Sequence, residues 1–113
     1  MWLFTQHGFY SIVADRNEPG RHLIRAHFRS DLKNLMKVCG LRGTIRTIIG
    51  THYPHRISIP SDRLPAVLGT MAGLVDYPDF KAHIATLPDQ ADRAEAYHRV
   101  WQTVADLPMA DCH

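Results

Sequence analysis

The segment IRAHFRSDLKNLM, residues 24–36, changes its hydrophobic period in the middle. Up to Arg29, Ile24, Ala26 and Phe28 fall on one side of an extended chain and Leu23, Arg25, His27 and Arg29 on the other, the alternation of a half-buried strand. Beyond Ser30, Leu32, Leu35, Met36 and Cys39 recur at the spacing of one helical face. Ser30 suits an N-cap, Asp31 places negative charge at the positive end of the helix dipole, and Gly40 suits the stop, so a helix is expected over 31–38. A second segment, HRISIPSDRLPAVL, residues 55–68, has the same order. Ile57 and Ile59 alternate with Arg56 and Ser58, Ser61-Asp62 repeats the cap, and an apolar stripe from Leu64 to Leu74 predicts a helix over 64–75. Pro65 is tolerated there because it lies in the first turn.

The rest of the chain is built outward from these two units. Trp2 to Val13 is rich in aromatic and β-branched residues and reads as one strand, with Gly8 marking a bulge or bend. The turn-forming ADRNEPGR links it to the strand before Ser30, and TIRTIIG from Thr44 reads as another strand. DFKAHIATL predicts a short helix capped by Asp76 or Asp79. DQADRAEAYHRVWQTVADL predicts a longer one whose face of Ala94, Tyr97, Trp101 and Val104 packs onto the helical layer. The expected fold is a single α+β domain over 1–113: an antiparallel four-stranded sheet from two ββα units, helices on one face, and additional C-terminal helices. The tail PMADCH is expected to fray.

Composition agrees with a globular domain, at 45% hydrophobic and 21% charged residues. No apolar run approaches the roughly 20 residues that a membrane span needs, and the start lacks a basic leader region, so the default expectation is a cytoplasmic protein with no membrane partner. Cys39 and Cys112 have neither a disulfide framework nor the paired spacing of a zinc site, and are expected to be structural. Charge is unevenly placed: residues 1–63 carry ten Arg or Lys against four Asp or Glu, a net +6, while residues 64–113 carry a net −4. Such asymmetry marks a polyanion-binding half, or two halves that neutralise one another.

Three chemistries compete for the polar residues. His52 and His55 are close enough in sequence to share a metal, with His7 or His83 as further ligands, but no carboxylate or cysteine pair accompanies them, so no metal or other cofactor is expected. His27 and His55 on neighbouring strands, with Arg25 and Arg56 stabilising charge, are the pair that a phosphodiester-acting enzyme would use, but no signature motif places them. The third reading is a binding face. Arg25, His27, Arg29, Arg46 and Arg56 share one side of the sheet, with Tyr10 and Tyr53 nearby, so that arginines meet phosphate while rings stack on bases. A non-enzymatic RNA- or DNA-binding module is preferred, with a protein partner or homodimerisation through the same face as the alternative.

The opening MWLFTQHGFYSIV, Met1 to Val13, the steps Tyr53 to Arg56 (with His55 at an aromatic position), Tyr77 to Lys81 and Tyr97 to Trp101 resemble a group of small uncharacterised bacterial proteins. The resemblance implies a stand-alone domain and brings no activity with it.

Overall fold

The computed structural model describes residues 1–109, so Cys112 and most of the PMADCH tail lie outside the described residues. The chain divides into two compact units, Met1–Asp76 and a second beginning at Tyr77. The first unit holds all ten of the basic residues counted above and, among the described residues, every strand.

The α+β class stands, but the sheet has five strands in the order β1-β2-β3-β5-β4, all neighbours antiparallel. The extra strand comes from the N-terminal run. Trp2–Thr5 is β1 and Gly8–Ala14 is β2, joined at Gln6-His7 in a tight hairpin rather than running on through a bulge. Thr5 closes this hairpin with its side chain: the hydroxyl accepts from the N–H groups of His7 (3.0 Å) and Gly8 (3.2 Å) and donates to the Gly8 carbonyl (2.9 Å). The remaining strands are β3 (Arg21–Ala26), β4, reduced to Arg46–Thr47, and β5 (His55–Pro60).

Helix α1 spans Arg29–Cys39, two residues longer at its start than expected, with Phe28 at the cap position and no side-chain cap bond. Ser30 is therefore not the N-cap. Asp31 anchors the sheet instead of serving the helix dipole alone, since its carboxylate, 1% exposed, turns under the β1–β2 hairpin and accepts from the Phe9 N–H at 3.2 Å. The Asp31 carbonyl accepts from the Tyr10 hydroxyl at 2.7 Å, so one helical turn is tied to β2 twice. At the other end Gly40, at φ +64°, supplies the left-handed residue that lets the Gly40 and Leu41 N–H groups return to the carbonyls of Lys37 and Met36. The second Ser-Asp pair also fails as an α-helix cap. Ser61–Arg63 forms a single 3₁₀ turn, the Ser61 hydroxyl lies 2.7 Å from His22 Nδ1, and α2 follows over Leu64–Gly73 with Pro65 in its first turn.

Helix α1 packs on β2, β3 and β5, and α2 packs on α1. Between them lies a core of Tyr10, Ile12, Ile24, Ala26, Leu32, Leu35, Ile57, Ile59, Val67 and Met71. The strand parity expected for Ile24, Ala26, Ile57 and Ile59 holds throughout. Phe28 departs from it: the strand has ended at Ala26, and its ring is 43% exposed.

In the second unit α3 spans Phe80–Thr86, capped by Asp79, whose side chain accepts from the Ala82 N–H at 3.1 Å. A 3₁₀ turn over Ala91–Arg93 leads into α4, Ala94–Ala105. Phe80 stacks on Tyr97 (5.8 Å), while Lys81 lies 4.0 Å over the Trp101 ring. The expectation for α4 is corrected in part: Tyr97 is buried, but Trp101 and Val104 are 52% and 61% exposed, so the stripe is core only at its first half. Among the described residues no helix is long and apolar enough to cross a membrane.

Candidate nucleic-acid interface

The face of the sheet opposite α1 is organised by strand register. Trp2 pairs with Ser11, Ser11 with Arg25, Arg25 with Arg56, and Arg56 with Arg46, so one row across five strands reads Trp-Ser-Arg-Arg-Arg. Paired residues share a face, and like charges directly opposite one another repel. The three guanidinium groups nevertheless stand in consecutive positions. Among the described residues no carboxylate forms an ion pair with any of them.

Each arginine is held differently. Arg25 donates to the Ser11 hydroxyl at 2.7 Å and lies 5.1 Å over the Tyr53 ring, a cation–π contact that fixes the guanidinium plane. Arg56 donates to the Tyr53 carbonyl at 2.8 Å. Arg46 is exposed on the short edge strand. The Nε atoms of Arg25 and Arg56 are shielded from water without a hydrogen-bond partner. Partial burial, then the charges of Arg25 and Arg46, push the Arg56 pKa below the usual arginine value. At neutral pH the side chain stays charged in folded and unfolded chains alike. Its depressed folded pKa therefore means a penalty present throughout the physiological range, relieved only as pH rises past that folded value. Replacing Arg46 by Gln removes one source of this repulsion and breaks no observed hydrogen bond. Arg46→Gln is expected to raise the unfolding free energy measured in urea slightly, by up to about 0.5 kcal/mol, the usual ceiling for a surface change.

Beside the row lies an aromatic ridge. Phe4 pairs with Phe9 across β1 and β2, and their rings stack at 4.4 Å. Trp2 meets Phe9 edge-on at 5.7 Å, and Tyr53 meets it from the other side at 6.1 Å. Trp2 remains 62% exposed. At the far end a cleft of about 450 Å³ is lined by Arg46, Arg56, Leu23 and Ile48 together with Asp15, Asn17 and Glu18.

Of the seven residues expected on this face, Arg25, Arg46, Arg56 and Tyr53 are brought together. His27 sits at the rim, past the end of β3, with Nδ1 3.3 Å from the His52 carbonyl. Arg29 is displaced, because the chain has already turned into α1 at that position. Tyr10 is wrong as a binding residue: it is fully buried on the helix side, its hydroxyl engaged by Asp31. Trp2, Phe4 and Ser11 join this face although they were not among the expected binding residues, because the β1–β2 hairpin sets Trp2 opposite Ser11 and Phe4 opposite Phe9. The Thr5-to-Gly8 turn produces this pairing.

The histidine pair considered for catalysis is split between the two sides of the sheet region. His55 pairs with Ala26 and alternates with Arg56, so its ring lies on the helix-facing side, 3.0 Å from the Thr47 hydroxyl. His27 and His55 thus do not converge with Arg25 and Arg56 as a catalytic set. Among the described residues no three His, Cys, Asp or Glu side chains are grouped to hold a metal ion. Cys39, half-buried against the Val67 carbonyl, has its thiol pKa raised by burial, which disfavours the reactive thiolate.

Comparison with family models, with curated proteins and with solved structures gives no match to this chain.

Proposed function

We propose that the first unit binds single-stranded nucleic acid across this sheet face. The observation that carries the reading is the in-register row Arg25-Arg56-Arg46, which accumulates like charge without carboxylate partners among the described residues and lies beside stacked, partly exposed rings. Guanidinium groups bind phosphate through paired N–H donors, and a polyanion removes the repulsion that the free protein bears. Rings stack on bases of any identity, so the surface favours strand binding with little sequence preference. An open sheet offers the rings to unpaired bases, which a duplex keeps stacked inside.

Fluorescence anisotropy with a short labelled oligonucleotide tests this. Phe9→Ala and Tyr53→Ala are each expected to weaken single-strand binding by about 1–3 kcal/mol, the range for one base–aromatic stack, with similar losses for different base compositions. Duplex of the same length is expected to bind more weakly. Equal affinity for duplex and single strand, or sedimentation showing that the face closes between two copies of the chain, would overturn the reading.

A further inference from the structure

A second arginine group lies at the end of β3 and β5 away from the aromatic ridge. A cavity of about 280 Å³ is lined by Arg21, Arg42, Arg63 and Ser58, with Gly40 and Leu41 at its lip, and no carboxylate is among its lining residues. Arg21 is fixed before any ligand arrives: Nε donates to the Ser58 hydroxyl at 2.6 Å and one terminal nitrogen to the Ser58 carbonyl at 3.1 Å. Its remaining N–H donors are available. Arg42, in the turn after α1, and Arg63, in the 3₁₀ turn after β5, are exposed and complete the cationic lining. The Gly40 and Leu41 N–H groups are spent on the helix carbonyls, so recognition of an anion here falls to the arginines and Ser58.

We propose that this pocket is a site for a phosphate monoester. A diester in a strand carries one negative charge, whereas a monoester carries about −1.5 to −2 at neutral pH and presents three terminal oxygens. Three guanidinium groups around one small cavity match that charge and those oxygens better than they match a diester. Arg21 precedes Arg25 by four residues on β3, a separation of roughly 13 Å along a strand, which a few nucleotides span. A strand lying over Arg25, Arg56 and Arg46 can therefore place a phosphorylated end at Arg21. That strand-end source rests on the nucleic-acid reading of the sheet face, while the pocket's affinity for a phosphate dianion does not.

Two measurements separate the sources. In the first, the ¹⁵N-labelled chain is titrated with inorganic phosphate at constant ionic strength, reading the Leu41 and Arg42 amides and the Arg21 Nε–H. Saturable shifts confined to these groups are expected, with apparent affinity lowered at least about tenfold in the Arg42→Ala/Arg63→Ala double variant. Neither residue supports the fold through an observed bond. Absence of shifts, or equal shifts with chloride, overturns the site. In the second, oligonucleotides with and without a 5′-phosphate are compared. A preference of at least about fivefold for the phosphorylated end, lost in the double variant, supports the strand end. Phosphate shifts without that preference overturn the strand end and support a free phosphate ester. Shifts with no oligonucleotide binding at all support the pocket and overturn the sheet-face reading alone.

Discussion

Gly8→Ala is expected to cost about 3 to 5 kcal/mol of folding stability, combining overpacking with backbone strain. Gly8 begins β2 at φ +154°, and a Cβ there would overlap the Asp31 side chain, 2.7 Å from Oδ2 and closer still to its carbons. Asp31 has no easy retreat. Its carboxylate is buried and accepts from Phe9, its carbonyl holds Tyr10, and moving either removes a partner from a polar group shielded from water. Urea unfolding measures the loss directly. The Gly8→Ala/Asp31→Ala double variant is expected to lose less than the sum of the two single losses, because the substitutions share one contact, although the Asp31 Cβ that remains still crowds the new methyl. Gly69→Ala is the contrast: that position is exposed within α2 and nothing lies within 4 Å of the new methyl, so the substitution is expected to stabilise by up to about 1 kcal/mol. If Gly8→Ala costs no more than a typical surface change, the hairpin is not seated on Asp31.

The largest effect on binding is expected from Arg25→Ala/Arg56→Ala, a loss of about a hundredfold in single-strand affinity, since each charge-assisted contact contributes on the order of 1.5 kcal/mol or more. Arg25 also rests on Ser11 and Tyr53, so a thermal melt must show that the double variant remains folded. The Arg25→Lys/Arg56→Lys variant separates charge from shape. It is expected to keep most of the salt dependence while losing part of the affinity, because an ammonium is a point charge and cannot form the paired contact. Full affinity in the alanine variant would remove the arginine row from the site.

The parts of this site that were legible in the sequence are those governed by local alternation. Arg25 and Arg56 are outward because Ile24, Ala26, Ile57 and Ile59 are inward, and a two-residue period needs no tertiary information. The helices were legible for the same reason, and Gly40 and Asp79 act at their ends as expected. What was not legible depends on long-range geometry. The Trp2–Val13 run contains no residue pair typical of a tight hairpin; the turn is closed by the Thr5 hydroxyl, a side-chain device that pattern reading does not register. The hairpin adds one strand and pairs Trp2 and Phe4 with Ser11 and Phe9 on the open face, while Tyr10 alternates inward with Ile12. Ser30 and Ser61 misled in another way. Both have cap-like chemistry, yet Phe28 holds the first cap position and Ser61 instead meets His22, contacts decided by the arrangement of β3 against β5. The cross-strand row of arginines was only half visible, because Arg46 enters it through the pairing of β4 with β5, which nothing in TIRTIIG specifies.

Salt dependence tests the central claim most directly. For single strands the logarithm of the binding constant falls with the logarithm of salt concentration by about 0.7 for each phosphate neutralised. Engagement of Arg25, Arg56 and Arg46 corresponds to a slope of about −2 or steeper, and Arg56→Ala is expected to reduce its magnitude by about 0.7. A slope near zero, or one that Arg56→Ala leaves unchanged, would contradict a nucleic-acid interface on this face.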